Sequence, residues 1–174
     1  MSTDALIEIH PYDASWPAKF EEERELLEPI LAPVLAGGIH HVGSTAIPGL
    51  AAKPIVDIMA GVASLDEARG VFEELGELQY CYSPYRPGMH WFCKPSSDLR
   101  THHLILVEPD GPWWEPRLRF RDYLRSHPDA VAEYEALKRD LAGRHADDRQ
   151  AYTNAKTAFV EAIVARAWVE PHSP

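Results

Sequence analysis

The sequence predicts an α/β (α+β) fold, a mixed sheet flanked by helices with a C-terminal three-helix segment, and three observations carry this. A helical stretch comes first, strands with one helix among them follow, and the last third is helical throughout. The strand pieces are β-branched and bounded by Gly and Pro. The helical pieces open on capping residues and carry apolar residues at helical spacing. No repeat, low-complexity block or linker divides the 174 residues, so residues 1–174 are expected to form one domain.

Each element has its own signal. Ile7 to His10 suits a short strand. Ser15 suits the N-cap of a helix over Trp16–Leu31, with Pro17 in its first turn and acids following; Pro33 and Gly37-Gly38 end it. Ile39–Val42 and Pro54–Val62 are strands joined through the turn S-T-A-I-P-G-L. SLDEARGVFEELGE is a helix in which Ser64 and Glu67 make a capping box and Gly76 fits C′. Leu78–Tyr82 and Met89–Lys94 flank the turn SPYRPG, and Leu99–Val107 is a strand closed by PDGP. Helices follow over Trp113–Arg125, Asp129 to about Ala142, opened by Ser126 and Pro128, and Asp147 to about Trp168.

Composition narrows the function. A net charge of −10 argues against a surface that coats nucleic acid, because phosphate neutralisation needs clustered Lys and Arg. A small anionic ligand remains compatible, since a few focused cations hold one in an acidic chain. The two cysteines, Cys81 and Cys93, form no CxxC, which suits a reducing cytoplasm. Met1 to His10 lacks a basic start and a long apolar core, so no signal peptide is expected, and no apolar run suits a membrane span. Glu170 to Pro174 reads as a frayed tail.

Chemistry concentrates in HVGSTAIPGLAAKPIVDIMAGV. Gly43 lets the backbone approach a ligand, and the Ser44 hydroxyl and nearby N–H groups suit a phosphate. Lys53 precedes the next strand as a point charge. Asp57 stands in that strand among apolar residues, where a carboxylate needs a pair, hydrogen bonds or a metal. Alternation puts Val56 and Ile58 on one face and Asp57 and Met59 on the other. The bland alternative is an ion pair that only fixes the fold.

Taken with PYDASWPAKFEEE, HVGSTAIPGLAAKPIVDI, RTHHL, FRDYLR and AYTNAKTAFV, this stretch resembles the GrpB-like family, within the nucleotidyltransferase superfamily of the polymerase β type. The resemblance implies that Gly43 and Ser44 hold nucleotide phosphates and that Asp57 binds Mg²⁺. A second carboxylate belongs at the position that Met59 occupies, and Met is no ligand for Mg²⁺, so two-metal chemistry is in doubt.

Other candidates surround this unit. Strand alternation separates His102, with Arg100, from His103; His102 is a candidate ligand contact, and His103, with Asp57, is a candidate catalytic residue as general base. His40 and His41 precede the Gly-Ser turn, and His41 is a candidate ligand contact. Arg86, Arg100 and Arg121 are candidate anion contacts, whereas Arg117 and Arg119 are expected on a solvated helix face. Lys156 falls inside the inward stripe Tyr152, Phe159, Ile163, where it needs a partner or a snorkelling path. The adjacent pair Trp113 and Trp114 suits a core or a pocket wall. The function expected is binding of a nucleotide or other phosphorylated metabolite, with nucleotidyl transfer to an acceptor. The alternatives are a binding module that has lost its metal pair, or a His/Asp enzyme acting on a metabolite.

Overall fold

The computed structural model describes residues 6–170. Helix α1 runs over Trp16–Leu31 and buries Trp16, Phe20, Glu23, Leu27 and Leu31, one face of a 3.6-residue period. Ser15 makes no side-chain cap; the Asp13 carboxylate accepts from the Ser15 N–H at 2.8 Å instead.

Strand β1 (Leu35–Val42) pairs antiparallel with β2 (Val56–Val62), and β2 runs parallel to β5 (Arg100–Val107). Strand β4 (His90–Pro95) lies antiparallel to β5, and the short β3 (Cys81–Tyr82) completes the order β1-β2-β5-β4-β3. This is the mixed sheet predicted. β1 starts earlier than Ile39 because its two glycines are absorbed as an irregularity between Leu35 and Gly38. Gly37 also packs against Gly61: a Cβ on Gly61 would lie 2.7 Å from the Gly37 Cα and 2.9 Å from the Trp114 ring. The glycine pair is thus the floor on which Trp114 sits. The predicted strand at Ile7–His10 reduces to one bridge between His10 and Ala52.

The two faces of the sheet differ. Val56, Ile58, Ala60, Leu104 and Leu106 pack on Leu27, Leu31 and Leu75. That face is covered by α1 and by α2 (Leu65–Ala68) and α3 (Phe72–Glu77), which a 3₁₀ turn joins. Each fully buried Leu or Ile there contributes about 1.5–3 kcal/mol. Gly76 lies inside α3, and the left-handed residue beyond it is Gln79, with φ 67°. On the other face Met59, Val42, Ile105 and Val107 pack on Trp114.

Among the described residues the C-terminal segment holds four helices where three were expected: α4 (Trp114–Ser126), α5 (Pro128–Arg144), α6 (Arg149–Ala155) and α7 (Thr157–Val169). The break falls at Lys156, where the backbone tightens and its N–H bonds to Thr153 O at 3.3 Å. Phe120, Leu124, Tyr134 and Ile163 of these helices share a cluster with Ile47 and Leu50, so they grip the loop that follows Gly43-Ser44. Among the described residues no helix is long and apolar enough to cross a membrane. Residues 1–5 of the stretch read as lacking a signal peptide, and 171–174 of the tail reading, lie outside the described residues.

Candidate functional site

Parallel pairing sets Asp57 of β2 beside His103 of β5, and their side chains meet: His103 Nδ1 lies 2.9 Å from Asp57 Oδ1. With Asp57 ionised, His103 donates from Nδ1. Its Nε2 is buried and has no hydrogen-bond partner among the described residues. The Trp91 ring packs on His103 at 4.9 Å between centroids.

Gly43 closes the dyad from the other side. It has φ 72° and ψ −171°, and a Cβ there would come within 2.3 Å of Asp57 Oδ2. That backbone region is essentially glycine-only. Ser44 follows in a short 3₁₀ turn, and its side chain acts on the hydroxyl of the buried Tyr134 of α5, lowering its pKa against the effect of burial. Burial pushes the Tyr134 hydroxyl up to about 12.

Burial alone would raise the Asp57 carboxyl. The His103 hydrogen bond and the charges of His103, Lys53 and Arg117 outweigh it and hold the group below its usual value. The cations are not scattered. Lys53 lies 5.0 Å and Lys156 4.1 Å from the Tyr152 ring centroid. Lys138 lies 4.8 Å from the Tyr134 ring and donates to Ala51 O. Burial, and then the charge of Lys53, hold the Lys156 amine down to about 7; burial, and then the charge of Lys156, do the same for Lys138. Lys138 and Lys156 are thus each lowered by burial and by neighbouring lysine charge, and Lys156 lies within reach of the Asp57 carboxylate.

The predicted residues divide between places. Asp57, His103, Gly43, Ser44, Lys53 and Lys156 converge. His102 does not: it faces α1, with Nε2 at 4.0 Å from Glu23, whose carboxylate accepts from Lys94 Nζ at 2.8 and 3.0 Å. His41 also faces α1, stacked on Phe20 and hydrogen-bonded through Nε2 to Thr45 Oγ1 at 2.9 Å. Burial pushes His41 down to about 4, against the pull of Asp57, so the ring is neutral. Because Thr45 donates to Ile55 O, His41 donates to Thr45 and braces the loop. Arg121 donates to His41 O at 3.2 Å and Arg125 to Ala46 O at 2.9 Å, which ties that loop down from α4. Arg121 thus anchors the loop from α4 and also lines the depression beside His41 and Arg125. Arg100 bonds to Ser97 O and lies over Trp91 at 5.3 Å, and Arg86 lies over Tyr85 and Trp113.

Two residues run against or beyond the sequence reading. Arg117 is not on a solvated face; it is half-buried, with Nε shut off from solvent, within reach of the Asp57 charge. Lys138 was without a role, yet its spacing from Tyr134 and Leu141 puts it on the buried stripe of α5. That is the same sign that marked Lys156.

The donor set is a poor fit to Mg²⁺, which takes hard oxygens in near-octahedral array. Asp57 offers one carboxylate, engaged by His103 on Oδ1 and crowded by Gly43 on Oδ2. Met59 is fully buried in the Trp114 cluster. Among the described residues no three His, Cys, Asp or Glu gather to hold a metal. Two surface depressions lie away from Asp57, one lined by His41, Arg121 and Arg125, the other by Tyr85, Arg86 and Met89.

The GrpB protein family profile matches residues 6–166. The glutamate-rich protein GrpB of Alkalihalophilus pseudofirmus is 40% identical over 161 residues, covering 88% of this chain and 91% of its own length. The UPF0157 protein YqkA of Bacillus subtilis is 38% identical over 162 residues; the match covers 89% of this chain but only 45% of YqkA. The crystal structure of GrpB from Enterococcus faecalis superimposes with a TM-score of 0.85 at 31% identity, over 94% of this chain and all of that one. A cytoplasmic RNA terminal U-transferase (TM-score 0.51, 15% identity) covers 81% of this chain and 42% of its own. The GLD-2/RNP-8 complex (0.52, 13%) covers 90% and 51%. These last two likenesses concern the fold. The chain belongs to the GrpB family and has a nucleotidyltransferase-like fold.

Proposed function

We propose that the protein binds a nucleotide or other phosphorylated small molecule and transfers its phosphorus-bearing group to an acceptor. The phosphates lie among Ser44, Lys53, Lys138 and Lys156. The observation that carries this reading is the dyad: Asp57 fixes His103 at Nδ1 and leaves Nε2 as a buried, unpartnered base beside a lysine cluster. A positioned base takes the proton of the attacking group. The acceptor's O–H or N–H proton passes to Nε2 as its O or N bonds to phosphorus. The P–O bond to the remaining phosphate chain breaks, and the lysines take up the charge on that chain.

One observation favours a second reading, a binding module without turnover: Met59, fully buried, stands where the resemblance would put a second acid. Thermal melts separate the two. A nucleoside triphosphate at one hundred times its Kd adds about 2.7 kcal/mol, roughly 5–10 °C for a chain of this size. The shift is expected without Mg²⁺. His103→Gln is expected to keep the shift and lose transfer if the protein is an enzyme, and to change nothing in the binding module. If no nucleotide or phosphorylated metabolite at millimolar concentration moves the melt, with or without Mg²⁺, both readings fail.

A further inference from the structure

Beyond the dyad, on the same face of the sheet, aromatic rings and guanidiniums continue in a ladder. Trp91 packs on His103 and lies 6.0 Å from Tyr85. Arg86 lies 5.1 Å from the Tyr85 ring and 5.7 Å from that of Trp113, and Arg117 lies 5.5 Å from Trp113. Trp113 is fixed by its indole N–H, which donates to Pro87 O at 2.8 Å. Two guanidiniums thus share one indole and repel each other; burial, and then Arg86 acting against the pull of Asp57, lower the Arg117 pKa.

Neither arginine makes a salt bridge among the described residues, and Arg117 Nε is buried without a hydrogen-bond partner. Acids outnumber bases in the chain, 27 to 17, so this want of a partner is not for lack of carboxylates. Arg86 also lines a depression open to solvent with Tyr82, Tyr85 and Met89.

We propose that Arg86 and Arg117 are the oxyanion-binding end of an acceptor subsite. The subsite takes a small molecule that bears a carboxylate or phosphate, and lays its hydroxyl or amine along Trp91 toward His103. This rests on the transfer reading above. Guanidiniums match oxyanions bidentately, an anion relieves the repulsion between the two, and the Trp91–Tyr85 wall accepts an apolar body.

The test is nitrogen NMR of the full chain, following arginine Nε–H and tryptophan indole signals. The probes are 4-hydroxybenzoate in one arm and phenyl phosphate in the other, with and without saturating inorganic triphosphate. At least one probe is expected to move the Arg86, Arg117 and Trp113 signals saturably, with triphosphate present as well as without. The responding arm identifies carboxylate or phosphate. Arg86→Gln is expected to weaken that probe at least tenfold while the probe-free protein melts as before. Arg117→Lys keeps the buried charge but loses the planar fork, and is expected to weaken it likewise. The subsite is overturned if neither probe moves those signals, if Arg86→Gln and Arg117→Lys bind both probes normally, or if triphosphate abolishes the response. A probe response without any triphosphate-induced melting shift supports the subsite and sinks the nucleotide reading; the opposite pair of results sinks the subsite alone.

Discussion

Gly43→Ala is expected to cost roughly 2–4 kcal/mol, or about 4–16 °C in melting temperature, and to abolish the triphosphate-induced shift. Two effects add. The backbone at Gly43, φ 72° and ψ −171°, excludes a side chain on conformational grounds. The new methyl would also lie 2.3 Å from Asp57 Oδ2. Relief requires the carboxylate to turn, which breaks its bond to His103, or the loop to lift, which draws Ser44 away from Tyr134. Gly143→Ala is the control. It sits within α5 with nothing within 4 Å of the added Cβ, so it is expected to be neutral or to stabilise by up to about 1 kcal/mol. Calorimetry of the two variants checks both; a Gly43→Ala protein that melts with the wild type and still responds to triphosphate would contradict the site.

Anion affinity is expected to fall steeply above pH 7, by up to roughly tenfold per pH unit for each lysine that must be charged to bind. Lys138 and Lys156 are each held down to about 7 by burial and a neighbouring lysine. In the folded protein their amines lose protons above about pH 7, whereas unfolding restores the ordinary value of 10.5. Their burden on stability is therefore full below pH 7 and is relieved as the pH rises toward 10. Ligand-free protein should gain stability from them across that window while triphosphate binding weakens. A bound phosphate chain recharges the amines, so binding at pH 8 takes up protons. Titration calorimetry in buffers of different ionisation enthalpy measures that uptake. An affinity flat from pH 7 to 9, with no protons exchanged, would rule out these lysines as the phosphate contacts.

The sheet was legible because its signals are local. The β-branched runs at Val56–Val62 and Leu99–Val107 and the stripe of α1 each declare one element, and the order of elements declares the class. What pairs with what was less legible. That Asp57 meets His103 and not His102 depends on β2 and β5 lying parallel in one register, which no local pattern states. Alternation did say that only one of the two histidines could share the Asp57 face. Lys156 was found by a polar residue breaking an apolar stripe, and the same sign at Lys138 was there to be read. Arg117 was hidden for a different reason. Among Arg117, Arg119, Arg121 and Arg125 the sequence offers several cations on one helix, and only the seating of Trp114 decides which of them turns toward the sheet.

That seating reaches further than the core. Trp114 rests on a floor made by Gly37 and Gly61, where even a methyl group would strike backbone or ring. Arg117 lies one turn along the same helix, so the thickness of that floor sets how far its guanidinium stands from Asp57. Gly61 is four residues from Asp57 along β2, about 13 Å at strand spacing. Two residues remote from Asp57 thus act as a shim for the surroundings of its carboxylate. Exchanging either glycine for alanine is expected to displace Trp114, and with it Arg117 relative to Asp57, while every side chain around that carboxylate keeps its identity.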